Sequence, residues 1–219
     1  MTDEQIISKG KHVIEIETGA VANLLANIDQ NFVKAVKIIF NSNGRVVFTG
    51  MGKSTGTAAI FMHPTDAFHG DLGMVRNDDI VILISKSGNT EELLQLIPMF
   101  KRINVNLIGM LGEAESKLGK DCDIILNVGV KEEACPYDLA PTSSTTAALV
   151  MGDALAIALL EMRGFTEEDF AFLHPGGSLG KRLSLKIDEL MIKGKDIPIV
   201  KEDAPLKDAI FEITSKRLG

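Results

Sequence analysis

Long apolar runs are missing from this sequence. None approaches the ~20 residues that a membrane-spanning helix requires, so no transmembrane segment and no membrane partner are expected. The opening residues, Met1-Thr2-Asp3-Glu4-Gln5, lack the basic stretch and apolar core of a secretory signal, which leaves the cytoplasm as the expected compartment. Clusters of Lys and Arg are missing too. With a net charge of −7 and a pI near 5.2, nothing would neutralise a run of phosphates, so no nucleic-acid partner is expected. A small anion stays open, because backbone N–H groups alone can hold one. The two cysteines, Cys122 and Cys135, form neither a zinc spacing nor a disulfide framework and are read as reduced structural thiols. No set of His, Asp and Glu has metal-ligand spacing, so no metal is expected.

What is present is apolar sequence in short pieces. The 219 residues are 45% hydrophobic, enough for one α/β domain with a buried core and a fragment of a second. Residues 3–27 and Asn31–Phe40 carry helical periodicity, and Asn41-Ser42-Asn43-Gly44 stops the second. Five β-rich runs follow at Arg45–Thr49, Thr57–Met62, Ile80–Ile84, Val105–Met110 and Cys122–Val128. Helical patterns at Glu91–Arg102 and, more weakly, Glu113–Leu118 separate the later ones. Near-continuous apolar strands alternating with helices predict a parallel sheet covered on both faces. Thr142–Met162 reads as a long, buried, central helix. One junction resists the scheme. A parallel crossover needs a dozen or more residues, and far fewer separate the first two strands. Either these strands are antiparallel or a helix is absent between them; the second reading is preferred. Beyond Leu183, residues 193–204 read as a linker and Pro205–Leu218 as one amphipathic helix without a partner. A lone helix buries no core, so the chain is expected to end inside a second domain.

Ser85-Lys86-Ser87-Gly88-Asn89-Thr90 separates the third apolar run from a helical pattern. One reading is a cap, with Asn89 as N-cap and Glu92 completing a capping box. That accounts for Asn89 and Glu92 but not for Ser85, Ser87 and Gly88. A phosphate cradle does, because hydroxyls and free N–H groups converge where the helix dipole favours negative charge. Glu91 and Glu92 in the first turn would repel that phosphate. Adjacent helical residues point about 100° apart, so Glu92 can face a crevice while Glu91 points away. Burial and a nearby phosphate would then raise the pKa of Glu92 toward neutrality.

Gly50-Met51-Gly52-Lys53-Ser54 is not a Walker A loop, because Val47 stands where that motif needs glycine. Lys53 can still face the crevice at a strand's C-terminal edge. His63, His69 and His174 sit in Gly/Pro-rich loops, where a side chain titrating near neutral pH is either surface or functional; His12, on a polar helix face, reads as solvated. Glu132 and Glu133 precede a proline loop and the run Thr142-Ser143-Ser144-Thr145-Thr146. Some of these hydroxyls are expected to cap the long helix, and the rest to form a second polar wall.

Together the segments GMGKS, FHGDLGMV, SKSGNTEE, KEEACPYDLAPTSSTTAALVMGDALAIAL and RGFTEEDFAFLHPGGSLGKRL resemble the arabinose 5-phosphate isomerases. These are sugar isomerase (SIS) domain enzymes with a C-terminal pair of CBS modules, and the resemblance runs from about residue 11 to 219. It implies an α/β SIS fold, a five-stranded parallel sheet flanked by helices, over residues 1–192. A linker at 193–204 and the start of a truncated CBS module at 205–219 would follow. It implies interconversion of D-ribulose 5-phosphate and D-arabinose 5-phosphate, feeding 3-deoxy-D-manno-octulosonate synthesis for lipopolysaccharide or capsule, without a cofactor. Lys53, Glu92, Glu133 and His174 fall at the family's candidate catalytic positions, and His69 in its HGDLG motif. Ser54, Ser85, Ser87 and Thr90, with Thr142, Ser143, Ser144, Thr145 and Thr146, fall on its polar and phosphate-binding loops. A homotetramer with active sites at subunit boundaries is implied, His174 and His69 reaching a neighbour. The family carries a helix between GMGKS and TGT that this chain lacks. A non-catalytic SIS sugar-phosphate sensor and an isomerase of another sugar phosphate are the alternatives; the set Glu92, Glu133 and His174 speaks against the first.

Overall fold

The computed structural model describes residues 1–49, 57–173 and 191–216, arranged as two units, 1–165 and 166–219. In the first unit, five strands form one sheet in the order β2-β1-β3-β4-β5. They are β1 (Val46–Thr49), β2 (Ala59–Phe61), β3 (Ile80–Ser85), β4 (Asn106–Leu111) and β5 (Ile124–Asn127), and every pairing is parallel. The antiparallel alternative for the first two strands is thereby overturned: Val46 pairs Ala59 and Phe48 pairs Phe61 in parallel register.

Alternation along the strands builds two cores. Val46, Ile80, Ile82, Ile108, Met110, Ile124 and Leu126 face one side, where α2 (Gln30–Asn41) and α6 (Ser143–Met162) lie, with α1 (Asp3–Asn23) packed on α6. Val47, Val81, Leu83, Leu107 and Leu111 face the other, under α4 (Glu91–Ile103), whose Leu93, Leu96, Ile97 and Phe100 are buried. Two short helices, α3 (Pro64–Phe68) and α5 (Lys117–Asp121), complete that side. On the α2/α6 side of the sheet, Phe48 and Ile84 are only partly buried. An apolar cleft lined by Ile39, Val46, Phe48, Ile84 and Leu155 opens there.

Three expectations need correction. The region 63–74, read as loop, contains α3 and a 3-10 turn at Asp71–Met74. The weak helix expected at Glu113–Leu118 begins only at Lys117, because Ser116 caps it by accepting from the Gly119 N–H. Finally, α6 is not buried all round. Its sheet-facing positions Ala147, Met151, Leu155 and Leu159 are buried, whereas Leu149 and Ile157 are exposed. By length and composition α6 is apolar enough to cross a membrane, which the run-length argument missed, but its inner stripe is packed on the sheet.

In the second unit, α7 (Glu167–Leu173) begins at a Thr166–Asp169 cap. Within the same unit α8 (Leu206–Ser215) exposes Leu206, Ile210 and Phe211. Lys216 Nζ, just beyond α8, donates to the Ile197 carbonyl at 3.0 Å.

Candidate active site

Parallel pairing puts all five strand C-termini on one edge, and the strand order reverses direction between β1 and β3. Sheets of this type bind ligands in the crevice at that reversal. The loop leaving β3 there is the hydroxyl-rich stretch Ser85–Thr90. Ser85 Oγ accepts the Gly88 N–H at 2.9 Å and shares a 2.7 Å hydrogen bond with Thr90 Oγ1. Gly88 has φ +61°, and a Cβ on it would lie 1.9 Å from Ser116 Oγ, so only glycine fits.

Thr90, not Asn89, is the N-cap of α4, and it makes no side-chain cap bond. Its hydroxyl is committed to Ser85. Asn89 instead accepts the Lys117 N–H at 3.2 Å and donates to the Ser87 carbonyl at 2.9 Å. The positive end of α4 is therefore left without a side-chain acceptor, as an anion site requires. Ser87 stays exposed beside it. Glu91 lies opposite the buried face of α4, and Glu92 on its flank, as the 100° step dictates. Both are exposed, so this chain does not supply the burial expected around Glu92.

The N-terminus of α6, in contrast, is closed. No hydroxyl of the Thr142–Thr146 run caps it by its own side chain. Glu133 does so from nine residues upstream: Oε2 accepts the Thr142 N–H at 2.9 Å, the Ser144 N–H at 3.1 Å and the Thr142 hydroxyl at 3.2 Å. Oε1 accepts from Ser144 Oγ at 2.5 Å and from Lys86 Nζ at 2.8 Å. Burial of this side chain pushes its carboxyl up, but Lys86, Ser144 and the two backbone donors outweigh that and hold it at about 2. The Lys86 ammonium is correspondingly raised, chiefly by its hydrogen bond to Glu133.

A crevice lined by Ser85, Lys86, Pro141, Ser144 and Thr145 lies between the β3 loop and α6. The structure thus brings together Ser85, Gly88, Thr90, Glu133, Thr142, Ser144 and Thr145. Ser143, also expected in the polar wall, is fully buried, with its hydroxyl unpaired among the described residues. His69 is exposed at the C-terminal cap of α3. Lys53, Ser54 and His174 lie outside the described residues. Lys86 was missed as a site residue. Its place as the basic residue inside the hydroxyl loop was legible, but its pairing with the buried Glu133 was not.

The sequence pattern of the SIS domain matches residues 38–158. The arabinose 5-phosphate isomerase KdsD of Yersinia pestis is 52% identical over 223 positions, which take in 96% of this chain and 68% of that one. The KdsD of Pseudomonas aeruginosa is 49% identical, covering 97% and 69%. The stretch aligned with the Yersinia protein exceeds the 219 residues of this chain, so that relative has positions with no counterpart here. Among solved structures, Escherichia coli CFT073 c3406 in complex with arabinose 5-phosphate matches with a TM-score of 0.75 at 40% identity, covering 80% of this chain and 100% of its own. On these matches, and on the parallel sheet they share, the chain belongs to the SIS-domain arabinose 5-phosphate isomerases.

Proposed function

We propose that this chain is an aldose–ketose isomerase that interconverts D-ribulose 5-phosphate and D-arabinose 5-phosphate, feeding 3-deoxy-D-manno-octulosonate synthesis. The observation that carries this is the 52% identity to a curated arabinose 5-phosphate isomerase across 96% of the chain. The geometry supports it. At the strand C-terminal edge, the N-terminus of α6 is closed by Glu133 and that of α4 is open inside a hydroxyl loop. A sugar-phosphate dianion fits the open one.

The reaction moves a proton between C1 and C2 through a cis-enediol(ate). It needs a base at those carbons, a proton donor to the oxygens and stabilisation of the enediolate charge. Glu92, Lys53 and His174 are the groups proposed for these tasks, with no metal or cofactor called on. Glu92 flanks the cradle, so a phosphate held at the α4 N-terminus leaves the sugar chain to extend past it.

Association belongs to the same reading. The α1 helix exposes Ile6, Ile7 and Ile14, an apolar stripe that supports pairing of copies into a tetramer. An exposed His69 suits a residue that serves a neighbour's crevice. Residues 193–204 are read as a linker and 205–219 as the opening of a CBS module, supported by the apolar side of α8. The positions that the Yersinia relative has and this chain lacks are assigned to a crossover helix between Lys53 and Gly56. A cytoplasmic site of action and lipopolysaccharide or capsule as destination follow from the family reading.

The test is turnover of ribulose 5-phosphate with solvent-proton exchange at C2, set against hexose phosphates. Glu92→Gln is expected to lower kcat by about 10²–10⁴, and Glu91→Gln to stay within a few-fold. No exchange with any pentose phosphate would overturn the isomerase reading, and an essential Glu91 beside a dispensable Glu92 would overturn the helix-face argument.

A further inference from the structure

Glu133 has more partners than a helix cap requires. Both oxygens are engaged, by two backbone N–H groups, two hydroxyls and the Lys86 ammonium. Its own N–H is bound to Asp138 Oδ1 at 2.7 Å, and the same oxygen lies 3.9 Å from Lys86 Nζ. A base that takes a proton from substrate carbon needs a lone pair aimed at that carbon. Here the lone pairs are spent inside the protein, and the side chain is wholly buried. Glu133 is thus arranged as a fixed anion.

Its cation comes from a significant place. Lys86 stands between Ser85 and Ser87, inside the loop whose hydroxyls and N–H groups surround the open end of α4. Its ion pair ties that loop to the segment that closes α6, across two further strands of the sheet. The Lys86 side chain is 48% exposed and lines the crevice while its ammonium is bonded to Glu133. Burying Glu133 without a cation would be costly, and the loop would shift to relieve it.

We propose that Lys86 is a positioning residue of this site. Its ion pair with Glu133, acting as a fixed anion and not as a proton acceptor, sets the Ser85–Thr90 loop in the geometry that receives a phosphomonoester dianion. The proposal rests on the isomerase reading only in taking the ligand's phosphate to sit in that loop.

Two measurements on the full chain test it, steady-state kinetics with ribulose 5-phosphate and calorimetric binding of inorganic phosphate. Lys86→Met is expected to raise KM and weaken phosphate binding, each by about tenfold or more, with kcat changed only a few-fold. Lys86→Arg keeps the charge and is expected to restore both to within a few-fold of the parent. Glu133→Gln, which keeps shape but not charge, should follow Lys86→Met in the KM and binding readouts. If Lys86→Met does not fold, Lys86→Gln, whose amide can still donate to Glu133, takes its place with the same expected direction. Unchanged phosphate affinity in Lys86→Met, or in Lys86→Gln where that replaces it, overturns the proposal. So does a Glu133→Gln chain that loses kcat by a hundredfold or more with KM and phosphate affinity intact, since that is how a proton acceptor behaves. A parent that binds phosphate through Lys86 yet turns over no pentose phosphate would leave this inference standing and remove the isomerase reading alone.

Discussion

Two buried carboxylates sit at opposite edges of the same sheet, and they look alike at first. Asp79, at the entry to β3, accepts from the Arg45 and Arg76 N–H groups at 2.7 and 2.9 Å and pairs with the Arg45 guanidinium. Glu133, beyond β5, accepts from the Thr142 and Ser144 N–H groups and pairs with Lys86. Each is held below its ordinary range against the opposing effect of burial. The surroundings differ. Arg45 grips Asp79 through both Nε and a terminal nitrogen, and that nitrogen also donates to the Met74 carbonyl, all at the strand N-terminal edge, away from the crevice. Lys86 is a point charge on a flexible stem, half exposed, in the loop that leads into a helix N-terminus without a side-chain cap. A perturbed carboxylate therefore does not mark a site by itself. What marks it is the strand C-terminal edge, together with polar groups that the protein has not satisfied.

The largest effect should come from the scaffold edge. Asp79→Ala would leave the Arg45 guanidinium unpaired and two backbone N–H groups without acceptors, at a cost of about 3–5 kcal/mol. Denaturant unfolding would show it, while KM and kcat per folded molecule should hold. Loss of activity beyond the unfolded fraction would break the contrast between the edges.

Next in size is an acid window. Glu133 is held at about 2 in the folded chain against an ordinary 4.5, so it favours the folded state above the higher value. That contribution fades as pH falls from about 4.5 toward 2. Glu133→Gln removes the titration, so its unfolding midpoint should change less between pH 5 and pH 3 than the parent's. The residual slope in the variant belongs in part to Asp79, which is shifted in the same direction. Equal slopes in the two proteins would contradict the buried, charged state described for Glu133.

The scaffold was far more legible in the sequence than the site. Parallel strands buried on both faces are written as near-continuous apolar runs, and β3, with Val81, Ile82 and Leu83 all fully buried, shows why. Elements shorter than two helical turns, such as α3, have no period to read. The outer face of α6 was hidden because Leu149 and Ile157 are as apolar as the residues facing the sheet. At the site, the residue types were readable but their partners were not. Asn89 was the better cap by local preference, yet Thr90 takes the position and Ser85 then takes its hydroxyl. The cap on α6 comes from Glu133 across a loop, and the cation on Glu133 from the loop that leaves β3. Those pairings are tertiary, and no local pattern encodes them.

The smallest effect sharpens the contrast within the loop itself. Ser85 is buried and faces inward, holding Gly88 and Thr90, whereas Ser87 is exposed and accepts only a 3.2 Å contact from the Asn89 N–H among its hydroxyl's described bonds. The Ser87 O–H proton is free for a ligand oxygen. A hydrogen bond to a charged acceptor contributes about 1.5–3 kcal/mol when buried. At this exposed position the lower end applies, so Ser87→Ala should raise KM by about tenfold. Because a phosphate is held alike in the ground and transition states, kcat should stay near the parent's. Ser85→Ala, which loosens the loop around Gly88, should affect KM more than Ser87→Ala does and should also lower thermal stability. Steady-state kinetics and melting of the two variants side by side check this. A fall in kcat for Ser87→Ala at constant KM would place Ser87 at the reacting carbons instead of the phosphate, and would move the sugar to the opposite end of the crevice.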